Sequence, residues 1–127
     1  MELTAQAREL VNGNNFAIIA TLNADGSPQE SVVWTRERDG EVIFSTVEGR
    51  AKYRNLRRDP RIAVLILDAN NPQRYSEVRG AARIEPDPNS DLIAELSLKY
   101  DDKPWVEGAT TPRVIVAVRP EHITEHE

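Results

Sequence analysis

Two turns near the start of the chain leave its first three strands little choice of direction. Asn23-Ala24-Asp25-Gly26 separates an apolar run, Phe16 to Leu22, from a second extended stretch, Ser27 to Arg36. Arg38-Asp39-Gly40 separates that stretch from a third, Glu41 to Val47. Asp-Gly pairs accept the positive φ that tight hairpin turns need. Connections this short cannot carry a parallel crossover, which takes about a dozen residues or more. The three strands therefore run as an antiparallel meander, and a parallel βαβ sheet is the weaker reading.

The rest of the chain extends that pattern. Thr4 to Val11 reads as a short helix, with Thr4 as its N-cap and Asn12-Gly13 as its stop. Gly49 to Asp59 reads as a second helix, ended by Asp59-Pro60 because the residue before proline avoids the helical region. Arg61 to Asp68 and Arg74 to Ile84 form strands four and five, joined by the turn Asn70-Asn71-Pro72. Strand five puts Tyr75, Glu77, Arg79, Ala81 and Arg83 on one face. Asn89 or Ser90 caps a helix through Tyr100, residues 101–112 are irregular, and Arg113 to Arg119 is a final apolar strand. The expectation is an α+β fold, mainly β: a six-stranded antiparallel β-barrel with added helices. The 127 residues fit one domain, with no repeat, low-complexity segment or linker. A domain of this size buries roughly two-thirds of its unfolded surface. It is too small to wrap a large cofactor deeply, so a ligand sits in a surface groove or is completed by a second subunit.

Composition removes several function classes. There is no cysteine, hence no disulfide framework, thiolate metal site or thiol nucleophile. His122 and His126 fall in the last six residues and read as tail residues; with no other histidine available, no metal site is expected. A net charge of −5 argues against general nucleic-acid binding. The longest aliphatic run, Ile62 to Leu67, is far short of the roughly 20 residues that span a bilayer. The N-terminus carries no basic region followed by an apolar stretch. The expected location is the cytoplasm.

Against this acidic background one segment stands out. Gly49-Arg-Ala-Lys-Tyr-Arg-Asn-Leu-Arg-Arg-Asp-Pro-Arg61 concentrates Arg50, Lys52, Arg54, Arg57, Arg58 and Arg61. A solvated helix face is the ordinary explanation of a charge run, and it covers Arg57 and Arg58, whose charge complements the dipole in the last turn. Arg50 and Lys52 lie in the first turn, where a cation is disfavoured by roughly 0.3–1 kcal/mol. Cations there make sense when an anion sits on the free N–H groups of the helix start. Lysine supplies a point charge and arginine a forked donor, both suited to phosphate. The preceding strands add Gln29, Ser31, Val33 and Thr35 on one face of 27–36, and Ser45 and Thr46 just before the basic helix. Small hydroxyl and amide groups there suit the edge of a polar heteroaromatic ring, with Val33 packing on its plane. Plain polar alternation on a half-exposed strand is the competing explanation. Trp34 and Trp105 are expected as core or dimer-interface anchors.

Ala-Thr-Leu-Asn-Ala-Asp-Gly-Ser-Pro-Gln (20–29), Gly49 to Arg61, and Tyr75 to Gly80 ahead of Ala81-Ala-Arg-Ile-Glu together resemble the pyridoxamine-5′-phosphate-oxidase-like split-barrel superfamily. Within it the chain is most similar to the deazaflavin-dependent oxidoreductases that use coenzyme F420. The resemblance spans roughly residues 14–120, and its most specific part is Arg-x-Lys-x-x-Asn-Leu-Arg-x-Asp-Pro. It implies an FMN-binding-type split barrel and a homodimer with cofactor sites at the subunit interface. It places Arg50 and Lys52 at the cofactor's phosphate and acidic tail, with Asn55 and Leu56 on the same helix. It places Gln29, Ser31, Val33, Ser45 and Thr46 along the ring, and brings Tyr75, Arg79 and Arg113 from the partner subunit. The implied activity is hydride transfer from reduced F420 to an unsaturated small organic substrate. An FMN-binding oxidase or flavin reductase of the same fold, and a non-enzymatic cofactor carrier, are the alternatives. No residue is singled out as a catalytic acid.

Overall fold

The computed structural model describes all of residues 1–127. Helix α1 (Ala5–Asn12) begins as expected: Thr4 Oγ1 accepts from the Ala7 N–H at 3.1 Å, and Gly13 is the C-cap. Strands β1 (Ala17–Leu22) and β2 (Pro28–Val33) pair antiparallel across the Asp25-Gly26 turn. Strands β3 (Arg36–Arg38) and β4 (Glu41–Val47) pair across Asp39-Gly40, with φ of 54° and 82°. Positive φ at both central residues gives a turn whose twist matches the strands it joins.

The stretch 27–36, expected as one strand, is two, broken at Trp34-Thr35. Thr35 accounts for the break. Its N–H donates to Tyr100 Oη at 3.2 Å, and its carbonyl accepts from Lys99 Nζ at 2.6 Å. Its hydroxyl donates to the Val11 carbonyl at 3.2 Å. With its backbone groups satisfied by side chains, Thr35 needs no ladder partner.

Helix α2 (Ala51–Arg58), strand β5 (Arg61–Asp68), strand β6 (Asn71–Pro86), helix α3 (Asp91–Asp101) and strand β7 (Arg113–His126) complete the chain. The sheet order is β2-β1-β5-β6-β7-β4-β3, with every neighbouring pair antiparallel. The expected six-stranded barrel is thus corrected to seven strands in a sheet whose hydrogen bonding stays open. Its edges, β2 and β3, are nonetheless separated only by Trp34 and Thr35. Three Cα–Cα steps span at most about 11 Å, so the sheet must curl until its edges approach each other.

Strand β7 runs past Arg119 to His126 and pairs with β6 throughout. His122 and His126 are therefore not a free tail: they lie opposite Arg79 and Tyr75. The ladder shifts register between Arg79 and Gly80. A Cβ on Gly80 would lie 1.9 Å from the Arg119 carbonyl oxygen, so only glycine lets the strands pass at this bulge.

The main core lies inside the curl. It joins Leu10 and Val11 of α1 and Leu56 of α2 to Ile19, Val42, Phe44, Val64, Ile66, Val78 and Val116. A second cluster lies on the other face of β4 and β7, where Ile43 and Ala117 pack against Leu92 and Leu96 of α3, with Trp34 and Tyr100 alongside. Ser90 occupies the N-cap position of α3, as expected, but its side chain does not cap. The buried Asp87 carboxylate does so instead, accepting from the Asp91 and Leu92 N–H groups at 3.2 and 3.0 Å. No helix is long and apolar enough to cross a membrane.

Candidate functional site

The start of α2, the end of β2, the outer face of β4, the start of β7 and helix α3 converge on one cleft of about 210 Å³. Gly49, at φ +91°, turns the chain out of β4 and into α2. Arg50 is the N-cap residue and gives no side-chain cap, and the first turn holds no acidic residue. The free N–H groups of the helix start are therefore left without a carboxylate. Arg50 and Lys52 line the cleft at this point. Neither appears in any ion pair or side-chain hydrogen bond of the chain. Burial, and then the charge of Arg50, push the Lys52 ammonium below its ordinary pKa. Two adjacent cations on a positive helix end, one half-buried, form a site whose electrostatics improve when an anion arrives.

The facing wall is aromatic and apolar. Trp34 stacks on Tyr100 at 5.4 Å between centroids, and Trp105 meets Trp34 edge-on at 6.4 Å. Phe16 also stacks on Tyr100, at 5.7 Å. Ile93 and Leu96 of α3 form part of the lining. The α3 helix is pinned there by Lys99, whose Nζ donates to the Val11 and Thr35 carbonyls at 2.8 and 2.6 Å. At the start of β7, Arg113 is buried, donates from Nη1 to Ser45 Oγ at 3.3 Å, and lies over the Trp105 ring at 5.0 Å. Phe16 and Val32, at the mouth, are 58% and 63% exposed.

A larger groove of about 490 Å³ lies elsewhere, lined by Ala20, Ala63, Arg79, Gly80 and His122 among others. Its two arginines are already neutralised: Arg61 pairs with Asp59 at 2.7 Å and Arg79 with Glu77 at 3.3 Å. Size alone therefore does not make it the anion site. The smaller cleft holds the uncompensated charge.

A family model described as pyridoxamine 5′-phosphate oxidase matches residues 3–127. The chain belongs to that family. Among solved structures it is similar to an F420 reductase, at 32% identity over 96% of this chain and 98% of that one, with a TM-score of 0.85. It shares its fold with a conserved hypothetical protein of Mycobacterium tuberculosis (24% identity, 100% and 86% covered, TM-score 0.80). It shares it also with the General Stress Protein 26 of Bacillus anthracis (22% identity, 95% and 91% covered, TM-score 0.72).

Residues expected to serve a phosphorylated cofactor of this pyridoxamine-phosphate-oxidase-like family divide between the cleft and the interior. Arg50, Lys52, Val33 and Ser45 line the cleft together. Arg113, expected from a partner subunit, lines the cleft of its own chain. Ser45 and Thr46 face opposite sides of β4, so Thr46 does not join Ser45. Gln29 and Ser31 share a face of β2 with Val33, opposite Thr21 and Ile19 on β1. Gln29 Oε1, Ser31 Oγ and Thr46 Oγ1 are buried without a hydrogen-bond partner in the chain. Such atoms each cost about 1–3 kcal/mol until a donor or a water meets them. Asn55 is turned inward and donates to Thr21 Oγ1 and Asn23 Oδ1, both at 3.0 Å, while Leu56 is part of the core. Tyr75 stacks on His126, Arg79 lies in the larger groove, and neither lines the cleft.

The aromatic wall is what sequence reasoning left out. Trp34 and Trp105, expected as packing anchors, line the cleft, and Trp34 packs against α3 as well. Trp105 comes from the irregular segment between α3 and β7. The donor set of the cleft fits a phosphorylated aromatic cofactor: an uncapped helix end with two unpaired cations beside aromatic walls.

Proposed function

We propose that this chain is an oxidoreductase that binds coenzyme F420 and passes hydride from the reduced deazaflavin to an unsaturated small organic substrate. The observation that carries the reading is the pair Arg50 and Lys52, unpaired at the uncapped start of α2. The similarity to a solved F420 reductase supports the choice of deazaflavin. When bound, the cofactor supplies the hydride chemistry. The chain supplies the rest. Arg50 and Lys52 hold the phosphate by charge-assisted hydrogen bonds, with the N–H groups of the first helical turn behind them. Phe16, Val32 and Trp34 keep water away from a flat ring. Ser45 offers the cleft a hydroxyl. No carboxylate or histidine stands among the cleft residues as an acid, so the proton that accompanies the hydride comes from solvent or from the substrate.

The protein functions as one domain over 1–127 and as a homodimer, each site being completed by the partner copy. A cleft of about 210 Å³ is too small for a whole phosphorylated flavin. Exposed Phe16 and Val32 at its mouth, with Tyr75 and Arg79 outside it, suit a second copy closing over the site. Light scattering should give twice the chain mass.

Titration of the apo-protein with F420, FMN and haem tests the cofactor. F420 should bind tightest. FMN binding tightest would move the assignment to an FMN oxidase or flavin reductase of the same fold. Tight F420 binding with no reoxidation across a panel of electrophiles would make the protein a carrier. Arg50→Ala and Lys52→Ala should each weaken F420 by about 1–3 kcal/mol; unchanged affinity in both removes the phosphate site.

A further inference from the structure

Arg113 is a buried guanidinium in the cleft wall, and it already holds a carboxylate. Its Nε donates to Glu107 Oε2 at 2.6 Å, while Nη2 makes no hydrogen bond. A guanidinium fork prefers two parallel bonds to one carboxylate. Glu107 gives it only one oxygen. That oxygen also accepts from Ser90 Oγ at 3.2 Å, and the other accepts from the Ala109 N–H at 2.9 Å. We propose that Arg113 is a carboxylate-recognition group of the cleft, and that Glu107 is an internal stand-in displaced when a ligand carboxylate engages the fork with both oxygens. The inference rests on the reading of this cleft as the ligand site.

Three features mark the contact as exchangeable. It is single-pronged. Glu107 lies on a segment without helix or strand, flanked by exposed Val106 and Gly108, so it can move without breaking a ladder. The guanidinium is also held by Ser45 of β4, outside that segment, so the fork keeps an anchor when Glu107 leaves. The surroundings also select the ligand. Trp34, Trp105, Ile93 and Leu96 make an apolar, partly flat wall beside Arg113, which suits a carboxylate carried on a conjugated body. Hydrogen bonding from Arg113, foremost, holds the Glu107 carboxyl down to about 2. Glu107 is therefore ionised at any working pH, and exchange is driven by competition rather than by protonation. A carboxylate tethered six residues away acts at an effective concentration in roughly the millimolar range. A ligand must add contacts with the aromatic wall to win.

Two sources carry this chemistry: a substrate carboxylate, or the glutamyl tail of the cofactor. Benzoate and γ-glutamylglutamate stand for them. A Trp34→Phe background leaves Trp105 as the sole tryptophan, and its emission reports on the guanidinium above it. Benzoate should produce a saturable change. Glu107→Gln keeps an acceptor for the Ala109 N–H but loses the charge, and should tighten benzoate about tenfold, the scale of one charge-assisted hydrogen bond. Arg113→Met should abolish the response. Tighter benzoate than dipeptide assigns the group to substrate, and the reverse assigns it to the tail. Equal affinity in Glu107→Gln and its parent overturns the proposal, as does binding that survives Arg113→Met. If Arg113→Met does not fold, the Glu107→Gln arm decides alone. Running the F420 titration on the same proteins separates the failures. A carboxylate response without F420 binding sinks only the cofactor reading, and F420 binding without a carboxylate response sinks only this one.

Discussion

Helices α2 and α3 begin in opposite ways. The start of α3 carries its own anion: the buried Asp87 carboxylate takes the N–H groups of Asp91 and Leu92, and Asp91 adds a second negative charge in the first turn. The start of α2 carries two cations, no cap and no acid. The same orphaned donors are satisfied from within in one helix and left for an outside partner in the other. A helix end that the chain could have capped with one aspartate, and did not, is better explained by binding than by stability. The larger groove makes the same point from the other side, because its arginines are paired to neighbouring carboxylates and its charge is spent.

Making α2 resemble α3 is the sharpest way to break this comparison. Arg50→Asp places a good N-capping side chain and a negative charge where Arg50 now stands. Phosphate or F420 affinity should collapse by several kcal/mol, the cost of setting like charges against each other. Urea unfolding of the same variant should show the free protein more stable by about 0.5–1 kcal/mol, from the cap and the dipole together. Lower affinity together with lower stability would mean that Arg50 is structural. Making α3 resemble α2 is the converse and has a smaller effect. Asp87→Ala removes a buried cap with two hydrogen bonds and should destabilise the protein by about 2 kcal/mol, read from the denaturation midpoint. Cofactor affinity should change less than stability does, since Asp87 does not line the cleft.

Local rules reach part of this architecture and no further. The turns at Asp25-Gly26 and Asp39-Gly40, the Thr4 cap and the misplaced cations Arg50 and Lys52 are all legible because each depends on residues a few positions apart. The break at Trp34-Thr35 is not, because its cause lies in Lys99 and Tyr100, more than sixty residues downstream. The length of β7 is hidden for a similar reason: whether 120–126 forms a strand depends on Gly80 letting the Arg119 backbone approach. The Asp87 cap sits outside the ordinary N-cap position, so the rule that singles out Asn89 or Ser90 misses it. In the cleft, local sequence finds the cationic end and misses the aromatic one. Trp105 belongs to a segment with no periodicity, and only the fold brings it beside Trp34 and Arg113.

The smallest effect concerns the proton on Lys52. Its pKa is lowered in the folded protein, by burial and then by Arg50. The unfolded chain therefore keeps a proton that the folded chain releases earlier, between the lowered value and the ordinary 10.5. Across that window the free protein should gain stability as pH rises, because the unfolded state binds more protons. A bound phosphate reverses the sign of the local field and raises the pKa of Lys52 again. Binding should then take up protons, and affinity should fall as pH climbs through the lowered value of the free protein. Calorimetric titration in two buffers of different ionisation enthalpy measures that uptake directly. Lys52→Met should lose the alkaline fall in affinity along with the uptake. The Asp87 end of α3, whose donors are already taken, offers no such linkage. Proton uptake that persists in Lys52→Met would assign it to a basic group other than Lys52, and would leave the start of α2 electrostatically no different from the start of α3.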